Sequence, residues 1–141
     1  MSAYVSVNVE FKDKACLIEA LKGLGLTEDQ IEVHEEPQSL FGYHGDERPE
    51  KANIIVRRKH IGASSNDFGF VRQGDGYKML LSEYDHAATP RKFKCGGLSG
   101  FTAKLKVGYA EAWSLQQAKT YGYTPTVTKT AEKTVIRLTR W

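Results

Sequence analysis

Arg91, Lys92 and Lys94 stand directly ahead of Gly96, Gly97 and Gly100, at the entry to the longest helical pattern in the chain. That combination suits an anion: positive charge, backbone a phosphate can approach, and the free amides and positive end of a helix. Ser99 has the short hydroxyl side chain of an N-cap, and Lys104 follows in the early turns. No GxxxxGK[ST] is present, so this is not a Walker loop. Gly97-Leu98-Ser99-Gly100 matches the GXXG of single-strand-binding KH modules, a short pattern that also arises by chance. Phe93 and Tyr121 are free to stack on bases, whereas Phe101, Tyr109 and Trp113 are assigned to the buried face of the helix. The bland alternative is a solvated loop without a ligand.

Charge supports the same stretch. Residues 1–90 hold 10 Lys/Arg against 15 Asp/Glu, and residues 91–141 hold 10 against two, Glu111 and Glu132. The balances of −5 and +8 make up the formal +3. Such asymmetry points to phosphate, nucleic acid or an acidic protein, unless the two regions lie side by side and their fields cancel.

Other chemistry is thinner. His34, His44, Asp46, His60, Asp85, His86 and Cys95 are the ligand types of a metal site, but only His44-x-Asp46 and Asp85-His86 are close in sequence. There is no HExxH and no CxxC. Cys95 beside Lys94 has the setting of a lowered thiol pKa, yet no partner base can be assigned. Glu35-Glu36 and Asp46-Glu47 read as solvated charge. Two cysteines far apart, Cys16 and Cys95, read as free thiols. No apolar run is long enough to cross a bilayer, and the N-terminal residues lack a signal-peptide layout. The expectation is therefore a soluble, cytoplasmic domain with no cofactor.

The elements that must hold these residues can be read from periodicity. Ala3 to Phe11 alternates as a half-buried strand. Asp13 caps a first helix carrying Leu17, Ala20, Leu21 and Leu24, ended by Gly23 or Gly25. Thr27 and Gln30 have capping-box spacing. Ile31 to His34 is a short strand. Glu35 to Lys51, with two prolines and two glycines, reads as an irregular excursion in which LFGYHG could pair as an edge. Ala52 to Arg58 is a strand, Gly62 to Asp67 a turn, and Phe68 to Leu81 a hairpin around Gln73 to Gly76, with Asp75-Gly76 supplying the positive φ. In the long helix Phe101, Leu105, Gly108, Tyr109, Ala112, Trp113 and Gln116 recur at three and four. Gly122 takes the left-handed C-cap, with Lys119 in the last turn. Pro125 to Lys129 and Thr134 to Trp141 form a closing hairpin, whose last strand could mediate homo-oligomerisation through Val135 and Trp141. The order implies one α+β domain, 1–141, a mainly antiparallel sheet with two helices packed on one face.

Several segments together resemble one family. LKGLGL, LFGYHGDERPEKANIIV, FGFVRQGDGYKMLLSEYD and YAEAWSLQQAKTYGYTPTVTKTAEKTVIRLTRW are similar to the small proteins that include the hypothetical chloroplast open reading frame thirty-five of plastids and cyanobacteria. The most specific pieces are Gly42-Tyr43-x-Gly45, Gly69-Phe70, Tyr109-Ala110 and Arg140-Trp141. The resemblance implies no activity and no catalytic residue. His86 to Gly97 departs from the family's usual, less basic link.

The expected function is a non-enzymatic binding or adaptor module. Arg91, Lys92, Phe93, Lys94, Gly96, Gly97, Ser99 and Lys104 would meet an anionic partner, nucleic acid ahead of an acidic protein. The rivals are a regulator or inhibitor directed at another protein, and a small metal-dependent hydrolase or nuclease using His44, Asp46, Asp85 and His86.

Overall fold

Ile54, Val56, Phe68, Phe70, Tyr77, Met79 and Leu81 are apolar positions on three neighbouring strands, and all are buried in one cluster. They form the inner face of an antiparallel sheet in a computed structural model that describes residues 4–61, 66–82, 98–129 and 134–140. The strands are β1 (Tyr4–Phe11), β2 (Glu32–Phe41), β3 (Glu47–Val56), β4 (Phe68–Gln73) and β5 (Gly76–Ser82), in the spatial order β1-β5-β4-β3-β2. Helix α1 (Lys14–Gly23) carries the chain across the inner face from the β1 edge to the β2 edge. Helix α2 (Leu98–Thr120) lies beside it. Leu17, Ala20 and Leu21 of α1 and Leu105 of α2 enter the same cluster as the sheet residues. The architecture is thus α+β, with both helices on one face. Each fully buried Leu or Ile contributes about 1.5–3 kcal/mol through apolar area removed from water.

Caps and turns follow their side chains. Asp13 accepts from the Cys16 amide at 3.0 Å and so caps α1. The Gln30 side chain accepts from the Thr27 amide at 3.0 Å, ahead of a single 3-10 turn. Gly122 has φ +79° after α2, as a left-handed C-cap requires. In the β4–β5 hairpin Gln73 pairs with Gly76, leaving Gly74-Asp75 as the two-residue loop. Gly74 has φ +62° there, and Gly76, the glycine of the Asp-Gly pair expected from sequence to supply a positive φ, does not.

The largest departure from the sequence reading is residues 35–51. They are not irregular: they supply most of β2 and the first half of β3, a ten-residue arm each. Both prolines fit because each strand lacks a neighbour there. β2 is an edge strand, and its register shifts between Val33 and Gln38, around Pro37. β3 meets β4 only at residues 54–56, so Pro49 lies where that side of β3 is unpaired. Asn53, 3% exposed, compensates the shift. Its Nδ2 donates to the His34 and Glu35 carbonyls at 3.3 and 3.0 Å, and its Oδ1 accepts from the Arg72 amide at 2.8 Å.

The closing hairpin, β6 (Tyr123–Lys129) with β7 (Thr134–Arg140), is a separate two-stranded sheet reached directly from α2. Its turn and Trp141 lie outside the described residues. Helix α2 begins at Leu98, so Ser99 sits within the first turn and is not the N-cap.

Candidate functional site

The long helix decides what the molecule can present. At about 100° per residue, Ala112 and Gln116 lie within about 80° of the direction of Gly108. Gly108 lies close against α1: a Cβ placed there would lie 3.4 Å from Ala20 Cα and Cβ. Gln116 reaches α1 by accepting a hydrogen bond from the buried Cys16 thiol at 3.1 Å. Tyr109, about 100° from Gly108, is the edge of this interface. Its ring packs against Phe11 at 5.2 Å, and its hydroxyl accepts from the backbone amides of Lys12 and Asp13 at 3.1 and 2.9 Å. Those hydrogen bonds draw the β1–α1 turn against α2.

Trp113 lies about 140° from Gly108, beyond the covered sector, and is 47% exposed. The sequence reading placed it in the core; the structure puts it on the surface. The error has a simple cause. Spacing of three and four defines a stripe, but which edge of the stripe a neighbouring helix covers depends on the packing. Lys106, two turns before Trp113, points within about 20° of it, and is exposed. Lys12 comes from the β1–α1 turn and is also exposed. Lys12, Tyr109, Ala110, Trp113 and Ser114 enclose a shallow pocket of about 440 Å³. The structure therefore sets Lys12 and the Trp113 indole, 101 positions apart in the chain, in one pocket, with Lys106 two turns away along the same stripe of α2. Lys106 belongs to the run of cations and aromatics that the sequence offers for base stacking, but Lys12 does not, and nothing local in sequence could pair the two.

A larger groove of about 600 Å³ runs between α1 and α2, lined by Glu19, Lys22, Gly108, Glu111, Gln116 and Lys119. Its two acids and two bases offset each other, and Lys22 already meets Glu19 at 3.4 Å. It selects no charge. Glu111, the single acid of α2, lies on this side and away from the Lys106–Trp113 stripe.

Of the residues expected to bind, Arg91, Lys92, Phe93, Lys94, Gly96 and Gly97 lie outside the described residues. Lys104 is exposed on α2. It stands two residues from Lys106 and so does not share its face. Asp85, His86 and Cys95 also lie outside. His44 and Asp46 occupy the β2–β3 turn, where His44 stacks on Tyr43 at 3.8 Å and Asp46 meets Arg48 at 3.6 Å. His34 meets Glu32 at 2.9 Å, and His60 sits in a 3-10 turn after β3. Among the described residues, no three of His, Cys, Asp or Glu gather as a metal ligand set.

Two other polar groups are structural. Arg57 forks onto Glu32 at 2.8 and 3.0 Å and reaches Asp67 at 2.8 Å. Asp67, 1% exposed, also accepts from the Phe41 and Arg58 amides at 2.8 and 2.7 Å. The Arg57 hydrogen bonds hold the Glu32 carboxyl below its ordinary range, against a smaller opposing effect of burial. The Cys16 thiol is pushed up to about 11, chiefly by burial and then by Asp13 and Glu19, which makes it a poor nucleophile.

No curated protein and no solved structure matches the chain. No helix among the described residues is long and apolar enough to cross a membrane. Residues 21–139 match the family described as protein of unknown function, DUF1257. Because the match runs over far more than half of the 141 residues, the chain belongs to the DUF1257 family.

Proposed function

We propose that this protein is a non-enzymatic binding module for nucleic acid, engaged through the basic residues ahead of α2 and the outer face of that helix. The observation that carries the reading is the pocket that sets Lys12, from the β1–α1 turn, beside the exposed Trp113 indole, with Lys106 exposed two turns earlier on the same stripe of α2. Lysines neutralise phosphates and aromatics accept bases, the mixture used by single-strand binders. The +8 balance of residues 91–141 adds long-range attraction for a polyanion. The closer kinship, with the plastid and cyanobacterial open reading frame thirty-five proteins, is part of the proposal and rests on the Gly-Tyr-x-Gly and Gly-Phe segments.

The test is oligonucleotide binding by fluorescence anisotropy across a salt series. Affinity should fall steeply as salt rises. Replacing Arg91, Lys92 and Lys94 together by Ala should weaken binding and flatten the log–log salt slope, by roughly one for each phosphate that is no longer neutralised. Lys12→Ala and Lys106→Ala should each act in the same direction. A salt-independent affinity, or none at low salt, would refute the reading.

A further inference from the structure

The pocket beside Trp113 offers a selectivity that charge alone does not supply. A duplex presents phosphates but keeps its base faces stacked inside, whereas an unpaired strand can splay a base onto an aromatic platform. From the geometry we infer that the pocket of Lys12, Tyr109, Ala110, Trp113 and Ser114 receives an unpaired base against the Trp113 indole, making single-stranded nucleic acid the preferred partner. This rests on the nucleic-acid reading above and narrows it.

Three features of the site carry the inference. The Tyr109 hydroxyl is already taken by the Lys12 and Asp13 amides, so this wall of the pocket is held in place before any ligand arrives. Trp113 is 47% exposed on a helix rather than a loop, which fixes its backbone and leaves one side of the side chain accessible. Lys12 lines the pocket itself, and Lys106 is exposed on the same stripe one turn before Tyr109, so a backbone laid along α2 from the pocket meets a second cation. The pocket's size is within the range of small-ligand sites, ample for one base.

The experiment uses the full chain carrying Trp141→Phe, which leaves Trp113 as the only indole, since the protein has two tryptophans. Oligouridylate and oligothymidylate of about 12 nucleotides, a blunt duplex of the same length, and polyglutamate are titrated in parallel. Binding of either single strand should quench Trp113 emission, and both should bind more tightly than the duplex. Trp113→Ala should weaken single-strand binding roughly 5- to 150-fold, the loss of one base–aromatic stack, and leave duplex binding within about twofold. Trp113→Phe should retain most of the affinity. Because Trp113 is exposed, a thermal melt of the Ala variant should match the parent, so a loss of binding is not a loss of fold. Equal binding of single strand and duplex with unchanged emission overturns the inference and leaves the electrostatic reading standing. So does a Trp113→Ala variant that binds single strands like the parent. Polyglutamate binding as tight as the oligonucleotides would overturn it in favour of an acidic protein, and no binding of any nucleic acid would overturn both. Oligouridylate and oligothymidylate separate RNA from DNA within a positive result.

Discussion

Asp67 has three donors on two oxygens, from two backbone amides and the Arg57 guanidinium, and almost no exposure to water. Removing the charge leaves Arg57 half-paired and two amides without their acceptor. Asp67→Ala should therefore cost about 3–5 kcal/mol, read as a lower urea midpoint at unchanged slope. Asn53→Ala should cost about 1–3 kcal/mol, because the β2 register shift keeps its carbonyls but loses their donor. Glu32 gives the pH dependence. Its folded pKa is depressed by Arg57, so its stabilisation is present above the unfolded carboxyl value and disappears as pH falls through the folded one. Urea midpoints measured from about pH 6 down to about pH 3 should drop, and Glu32→Gln should lessen that drop while lowering the midpoint at the upper end. None of these three partnerships was legible in sequence. Arg57 and Glu32 lie 25 positions apart, and a charged residue in a polar stretch carries no mark of the backbone it will meet.

At the scale of elements, the strands around Phe70 and Met79, both helices and the C-cap at Gly122 could be read from period and turn chemistry. The long β2–β3 hairpin could not. Proline and glycine signal a break, but on the free side of a strand proline forfeits no ladder bond. Two of the segments that suggested a family, Gly69-Phe70 and Gly42-Tyr43-x-Gly45, hold backbone geometry. In β4 a Cβ at Gly69 would sit 2.5 Å from the Ile54 carbonyl oxygen, so close that the strands must part. Gly45 has φ +79° in the β2–β3 turn, where its amide donates to the Gly42 carbonyl at 2.9 Å. Gly69→Ala should destabilise by about 3 kcal/mol. Gly108→Ala, whose new methyl meets Ala20 at ordinary van der Waals distance, should be neutral or raise stability by up to about 1 kcal/mol through helix propensity. Thermal melts of the two variants make the comparison directly.

For the whole molecule, charge asymmetry along the chain was visible at once, but its spatial meaning was not. Lys12, from the acidic N-terminal portion, is held against α2 where its amide and that of Asp13 donate to the Tyr109 hydroxyl. The candidate surface thus depends on the β1–α1 turn being docked. Among the described residues the β6–β7 sheet pairs with no strand of the main sheet, and it should open more readily than the rest. Hydrogen exchange should find its amides less protected than those of β3–β5 by at least about tenfold; equal protection would mean the two sheets unfold as one unit.

The strand order carries one more implication, for synthesis. β1 is made first, yet its ladder partner is β5, with Tyr4 opposite Ser82. At a translation rate of about 5–20 residues per second, Tyr4 is added roughly 4–16 seconds before the residue it pairs with. Once it clears the exit tunnel, this alternating apolar segment has both its edges open until β5 follows. Nascent copies crowded on one message are then exposed to mispairing with each other, and a chaperone that shelters this strand would raise the yield of native chain without touching the finished protein.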